Sequence, residues 1–366
     1  MLGSEKAMAK KDLKIAVIGG DGVGPHVTEQ ALRVLEAVAK MSSVGFVFEF
    51  FPFSADEYLR TKRTLTNQDL TRFRKEFDAI LFGALGDPRI PDNIHAREIL
   101  LGLRFELDLY VNFRPVKLLD SKLCPLKNKM ENDIRFVIFR ENTEGNYRHI
   151  GGVVRRETND EVAIETSVDT YLGVERIVRA ACQYAKDKGL RRVCMVDKSN
   201  VLRFGHDLWQ RVWKKTEQEY VTLEFSHLYV DAAAMEMVRA PEQFDVIVTS
   251  NMFGDILSDL GAQLQGGMGM AASINYHPGK AALFEPVHGS APNLVGKGVA
   301  NPMASILTAA LLLEFFGYQD EAKKVEAAVK AAIQRGVTTP DLGGKTSTEE
   351  VATFIVSQLE EISERI

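Results

Sequence analysis

Cysteine is scarce in this chain: Cys124, Cys182 and Cys194 are the only three in 366 residues, with an odd count and no C-x-x-C pair. That argues against a disulfide framework and a thiolate metal cluster, and leaves reduced, structural thiols. Long apolar runs are missing as well, so no spanning helix is expected. Residues 1–6 hold no apolar core of the kind a secretory leader needs. The expected location is therefore the cytoplasm, with no membrane partner. Positive charge is not in excess either: 45 Lys and Arg stand against 50 Asp and Glu, a net −5, so nucleic acid is not the expected partner. The chain has no internal repeat and no low-complexity tract. What is there is ordinary, 45% hydrophobic and 26% charged, over a length that holds two domains or one elaborated α/β unit.

Short apolar strands alternate with helical stretches. Strands are predicted at 13–18, 46–51, from 79, and at 110–115, 134–139, 192–196, 223–230 and 245–249. Helices are predicted at 26–40, 66–75, 96–107, 169–188, 255–265, 301–316, 320–335 and 347–362. Such alternation predicts an α/β fold with a mostly parallel sheet covered on both faces. The first strand runs into Gly19-Gly20-Asp21-Gly22-Val23-Gly24-Pro25. Pro25 replaces the third glycine of a dinucleotide fingerprint, and no acid ends a second strand at the usual distance, so a Rossmann site is not expected. The loop is either a ligand cradle or a tight strand-to-helix turn. The alternating stretch 153–166, broken by Thr158-Asn159-Asp160, reads as an arm able to pair with a second subunit.

The stretch 245–259 carries the sharpest chemistry. Asp255 and Asp259 lie four apart on the predicted helix and share one face. Like charges there repel, so a hard cation such as Mg²⁺ or Mn²⁺ fits between them; the alternative is two solvated acids near a helix N-terminus. Arg104, Arg114 and Arg140 stand at the ends of core-like elements and together suit a polycarboxylate. Lys198 and Asp231 end strands, where ligands bind in open α/β sheets. The loop His288-Gly289-Ser290-Ala291-Pro292-Asn293 offers backbone N–H groups, a hydroxyl and an imidazole, a set suited to phosphate or adenine.

Taken in order, Gly20-Asp21-Gly22-Val23-Gly24-Pro25, Arg104 with Arg114-Pro115, Arg140-Glu141-Asn142-Thr143-Glu144-Gly145, Lys198-Ser199-Asn200, the run Asn251 to Asp259, and Glu285-Pro286-Val287-His288-Gly289-Ser290-Ala291-Pro292 resemble the β-decarboxylating dehydrogenases. These include the isocitrate, 3-isopropylmalate, homoisocitrate and tartrate/D-malate enzymes. The resemblance implies their non-Rossmann fold, two domains around the central sheet. Residues 1–109 and 267–366 would bind the cofactor; 110–266 would hold substrate and metal and dimerise through an arm at about 148–166. It implies that Asp255 and Asp259 bind Mg²⁺ or Mn²⁺ with Asp231 of a second subunit, and that Arg104, Arg114 and Arg140 hold the substrate carboxylates. Lys198, also from the second subunit, would be the base and Tyr147 the acid. His288, Gly289, Ser290, Ala291, Pro292, Asn293 and Asn301 would bind the adenosine half of NAD, with Glu285 nearer the nicotinamide. A homodimer with shared active sites follows.

Within the family, Leu100 and Leu101, one turn before Arg104, favour a branched alkyl substituent and so 3-isopropylmalate. Tartrate or D-malate is the runner-up, ahead of isocitrate and homoisocitrate. Asn293 replaces the aspartate common in NAD-preferring relatives. It keeps a hydrogen-bond acceptor but loses the repulsion of a 2′-phosphate, so NAD is expected over NADP with less stringency; Lys297 is close in sequence. A catalytically silent, regulatory relative is the reading from another class. Every acid, base and metal position being filled by a competent residue opposes it.

Overall fold

The computed structural model describes residues 12–364. The segment 1–6, read above for a leader, lies outside the described residues. Among the described residues there are twelve strands: β1 (Leu13–Gly20), β2 (Phe46–Phe50), β3 (Ala79–Ala84), β4 (Val111–Lys117), β5 (Arg135–Glu141), β6 (Ile150–Val154), β7 (Val162–Thr166), β8 (Arg192–Asp197), β9 (Glu224–Tyr229), β10 (Val246–Thr249), β11 (Ala272–His277) and β12 (Ala281–Pro286). Ten form one sheet in the order β2-β1-β3-β12-β11-β4-β5-β10-β8-β9, while β6 and β7 make a separate ribbon. Six of the nine pairings in the large sheet are parallel, as the alternation predicts. The three antiparallel pairings, β12–β11, β11–β4 and β4–β5, are contiguous in the middle of the sheet. The hairpin β11–β12 is not in the sequence reading. Its first strand, Ala-Ser-Ile-Asn-Tyr-His, holds one β-branched aliphatic residue and two buried polar ones, so its strand signal is weak.

Alternation along the strands sorts side chains onto two faces. On one face Leu13, Ile15, Val17, Leu81, Phe113, Phe139, Met195, Val248, Ile274 and Phe284 join a continuous core with the helices Gly24–Met41, Tyr171–Asp187 and Met303–Phe315. On the other face the core splits. Ile18, Phe82 and Leu283 belong to one cluster, and Ile138, Val196 and Ile247 to another. Between the two, the central strands carry buried Asn112, Arg114, Arg140, Asn275 and Glu285. An apolar face interrupted by five polar or charged side chains must be closed by something polar, and that gap positions the site.

Two elements differ from expectation. The helix predicted from 255 begins at Asn251 and runs to Leu264, so Asn-Met-Phe-Gly is its first turn rather than a loop. Gly254 is required there by close approach: a Cβ would lie 2.5 Å from Cγ of Arg140. The helix predicted over 96–107 is broken into Ile94–Ala96, a π-turn Arg97–Leu101 and Gly102–Glu106. The extra residue of a π-turn shifts the register just ahead of Arg104.

Candidate active site

Arg114 leaves the middle of β4, Arg140 the carboxyl-terminal part of β5, and Arg104 the helix Gly102–Glu106; all three are buried. Three guanidiniums in one cleft repel, and their burial is tolerated only with acids beside them. Arg104 donates to Glu285 at 2.8 Å. Arg140 donates through Nε to Asn251 at 2.9 Å and through Nη1 to Asp255. Arg114 bonds Ser258 at 2.5 Å and lies 3.3 Å from Asp255 and 3.5 Å from Asp259. The Tyr147 hydroxyl donates to Asp255 at 2.7 Å, its ring 5.0 Å from the Arg140 guanidinium.

The charges shift each other. Burial and the neighbouring Arg114 push Arg140 down to about 10. Burial lowers Arg114 too, against the pull of Asp255. Burial opposes ionisation of Asp255, yet Arg140, Arg114 and the Tyr147 hydrogen bond outweigh it and hold the carboxyl below its usual range. Asp259 is raised, by burial and then by Asp255. Burial also raises Tyr147, which keeps its proton. Nε of Arg104 and Nε of Arg114 are buried with no hydrogen-bond partner among the described residues.

Among the described residues, Lys198 and Asp231 make no hydrogen bond or ion pair with this constellation. Lys198 follows β8, its backbone N–H donating to Nδ1 of His206 at 2.8 Å. Its ammonium pairs with Asp231, on the first turn of the helix Val230–Arg239. That bond and the lysine charge lower the Asp231 carboxyl. Among the described residues no three His, Cys, Asp or Glu side chains converge as a cation site, so Asp231 does not join Asp255 and Asp259 within one chain. Asp255 and Asp259 keep 38% and 53% of their side chains exposed, with hard oxygen donors still accessible. That donor set fits a divalent cation needing further ligands from elsewhere.

The glycine-rich loop meets the His288 loop. Val23 donates its N–H to the Ser290 carbonyl at 2.8 Å, and a Cβ on Gly22 would fall 1.9 Å from the same oxygen. Asp21 is buried, accepting from Ala55 N, Gly86 N and Nε2 of His95. The loop is thus a tight turn that carries the 288–293 loop on its back. There Ala291 adopts φ 40°, and Pro292 and Asn293 are exposed. Nδ1 of His288 bonds the Gly289 carbonyl at 3.0 Å and so bears the proton; burial holds the ring neutral, leaving Nε2 as a buried acceptor with no partner among the described residues. Asn301 donates to Asp341 at 2.9 Å and accepts from Met303 N, which occupies its side chain within the fold. Leu100 is half-buried against the cluster of Ile18 and Phe82. Leu101 is half-buried and joins none of the apolar clusters of the described residues.

A family model described as isocitrate/isopropylmalate dehydrogenase matches residues 14–355. The chain belongs to the isocitrate/isopropylmalate dehydrogenase family. A 3-isopropylmalate dehydrogenase of Thermobifida fusca is 42% identical over 356 residues, 97% of this chain and 99% of the relative. One of Streptomyces coelicolor is 45% identical over 342 residues, 93% and 96% of the two chains. Among solved structures, the isocitrate dehydrogenase of Methylococcus capsulatus superposes with a TM-score of 0.85 at 35% identity, covering 95% of this chain and 99% of that one. The fold is therefore that of this dehydrogenase family, as the motifs implied.

The sequence reading missed Asn251 and Ser258, which bind two of the arginines. They lie four before and three after Asp255, on the same helix face, so spacing held the signal. It also missed Asn275, which donates to Glu285 at 2.7 Å and accepts from Asn112 and Asn142. Isolated asparagines in unrecognised strands give no such signal.

Proposed function

We propose that the chain is a NAD-dependent, divalent-metal-requiring 3-isopropylmalate dehydrogenase of leucine biosynthesis, acting in the cytoplasm as a homodimer. It would convert (2R,3S)-3-isopropylmalate to 4-methyl-2-oxopentanoate and CO2. The observation that carries this reading is the buried arginine trio facing two accessible carboxylates one helical turn apart. Arg104, Arg114 and Arg140 bring three positive charges, and Asp255, Asp259 and Glu285 three negative ones. A divalent cation and a dicarboxylate, +2 and −2, enter without disturbing that balance. The relatives named 3-isopropylmalate dehydrogenase, 42–45% identical over more than nine-tenths of the chain, support the substrate. So does the apolar surface of Leu101.

Arg104, Arg114 and Arg140 would hold the two carboxylates and set C2 towards the nicotinamide. When bound, Mg²⁺ or Mn²⁺ on Asp255, Asp259 and Asp231 of the partner subunit supplies Lewis-acid stabilisation of charge on the C2 oxygen, and NAD supplies the hydride acceptor. The partner subunit's Lys198 takes the C2 hydroxyl proton as hydride leaves. CO2 then departs from C3 of the resulting β-keto acid, and Tyr147, kept protonated by burial, delivers its proton to C3. Nε2 of His288 would accept from the adenine amino group. Asn293 would accept from the ribose, with nothing there to repel a 2′-phosphate.

A second copy is the reading that best accounts for three exposed features. Lys198 and Asp231 pair with each other and, among the described residues, make no hydrogen bond or ion pair with the arginines or with Asp255 and Asp259 of their own chain. The helices Val230–Arg239 and Asn251–Leu264 expose Met235, Val238, Met252 and Ile256. The ribbon β6–β7 is exposed along its whole length yet carries Ile150, Val153, Val154, Val162 and Ile164. A lone two-stranded ribbon is marginal in water and needs a partner surface.

Purified protein assayed with Mn²⁺ and NAD against 3-isopropylmalate, isocitrate, homoisocitrate, D-malate and tartrate tests the assignment. NADH should form fastest with 3-isopropylmalate. Preference for D-malate or tartrate would overturn the substrate, and no NADH from any of the five would overturn the enzyme.

A further inference from the structure

Lys198 stands where β8 gives way to an exposed loop. Asn200 to Phe204 are all exposed, Phe204 at 93%, so support for the lysine has to come from beneath the loop. A lysine has a flexible four-carbon stem, and a group that takes a proton has to be held to within about half an ångström. What fixes its backbone decides where the ammonium arrives. The support is one face of the helix Gly205–Glu219, on which His206 and Gln210 are four residues apart and so point the same way. Nδ1 of His206 accepts from the backbone N–H of Lys198 at 2.8 Å, and Nε2 of Gln210 donates to Asp197 at 2.8 Å. Asp197 is fully buried, and its other oxygen accepts from Ser199 N at 3.0 Å and lies 2.8 Å from Nε2 of His227. Among the described residues, His206 is the one side chain bonded to the Lys198 backbone.

His206 has a second contact. The residue is buried, and burial keeps its ring neutral against the pull of Asp169 and Asp197, so Nδ1 is free to accept. The ring meets that of Phe253 edge-on, with centroids 5.4 Å apart and planes at 70°. Phe253 lies two residues before Asp255 on the helix Asn251–Leu264. The imidazole therefore stands between the Lys198 backbone and the helix that carries both acids of the arginine cleft.

We propose that His206 is a positioning residue for the base: its Nδ1 sets the backbone of Lys198, and its ring seats that backbone against the helix of Asp255 and Asp259. The proposal rests on the reading that Lys198 completes the partner's site while Asp255 serves the site of its own chain. The base that each chain lends is then placed by the helix that holds the same chain's own acids, and His206 is the link between them.

His206→Leu keeps an apolar contact for Phe253 and removes the acceptor. Its kcat should fall at least about tenfold, a misplacement of about 1 Å being able to cost about 10²-fold, while the KM for NAD stays close to that of the wild type. His206→Asn, whose amide oxygen reaches the Nδ1 position, should recover kcat to within about threefold of the wild type. His206→Phe, a ring without an acceptor, repeats the comparison if melting shows the leucine variant to be poorly folded. The decisive readout uses dimers of one Lys198→Ala chain and one Asp255→Asn chain, refolded together, whose single intact site takes its lysine from the second chain. His206→Leu on that second chain should lower turnover as it does in the homodimer. On the Lys198→Ala chain, where there is no lysine to place, it should lower turnover far less, whereas a merely structural role lowers both alike. Equal losses from the two chains, a His206→Leu kcat near that of the wild type, or no recovery in His206→Asn would overturn the proposal. An inactive parent mixed dimer would overturn the shared site itself, so the two failures are told apart.

Discussion

Arg140 sits with almost no exposure between Asp255, Asn251 and the face of Tyr147, and removing any of these partners leaves a buried charge short of compensation. Lys198 is the residue on which the proposed chemistry turns. Lys198→Ala should lower kcat about 10²–10⁴-fold, the range of a lost general base, while leaving cofactor and metal binding intact by thermal shift. Turnover near that of the wild type would remove the lysine from the mechanism. Glu141, beside Arg140, gives a pH signature of stability. It accepts from Thr143 N, the Thr143 hydroxyl and Glu144 N, yet burial pushes it up to about 7. Between the ordinary carboxylate range and about 7, the folded state keeps a proton the unfolded chain has lost. This contribution is fully present below that window and is lost as pH rises through it, on the order of 3 kcal/mol in all. Urea midpoints at pH 5 and pH 8 should therefore differ more in the wild type than in Glu141→Gln, whose side chain stays neutral; equal differences would contradict the raised carboxyl.

At the scale of elements, the helix Asn251–Leu264 does most to build the site, because one face carries Asn251, Asp255, Ser258 and Asp259. The acids were legible from four-residue spacing. The start of the helix was not, because Gly254 reads as a turn signal in sequence and proves to be a contact with Arg140. The strand-helix alternation was legible because buried parallel strands are nearly continuous apolar runs. The β11–β12 hairpin was hidden because it carries polar residues that face the cleft. The π-turn Arg97–Leu101 was equally invisible, since an inserted residue leaves no local pattern; of its two leucines, which the sequence treats alike, only Leu100 packs against an apolar cluster of the described residues. Leu101→Ser should reduce the kcat/KM preference for 3-isopropylmalate over D-malate by about 1–3 kcal/mol. Leu100→Ser should instead lower stability through its core contacts. An unchanged ratio in Leu101→Ser would remove that leucine from the substrate pocket.

At the scale of the molecule, one sheet joins the stretches 110–266 and 267–366 where β4 pairs with β11. Its polar central face lies between two apolar clusters, which gives the cleft a rigid floor. The Lys198–Asp231 pair, the exposed apolar helix faces and the unsupported ribbon together favour a site completed by a second copy. Among the described residues no helix is long and apolar enough to cross a membrane, so those faces are not accounted for as a lipid-spanning helix.

Complementation between two inactive variants tests this directly. Lys198→Ala and Asp255→Asn proteins should each be inactive as homodimers. Refolded together at equal amounts, they should regain about a quarter of wild-type activity, because half the dimers are mixed and each mixed dimer holds one intact site of two. Activity no greater than that of the separate variants, in mixed dimers verified by mass, would contradict a site shared between copies.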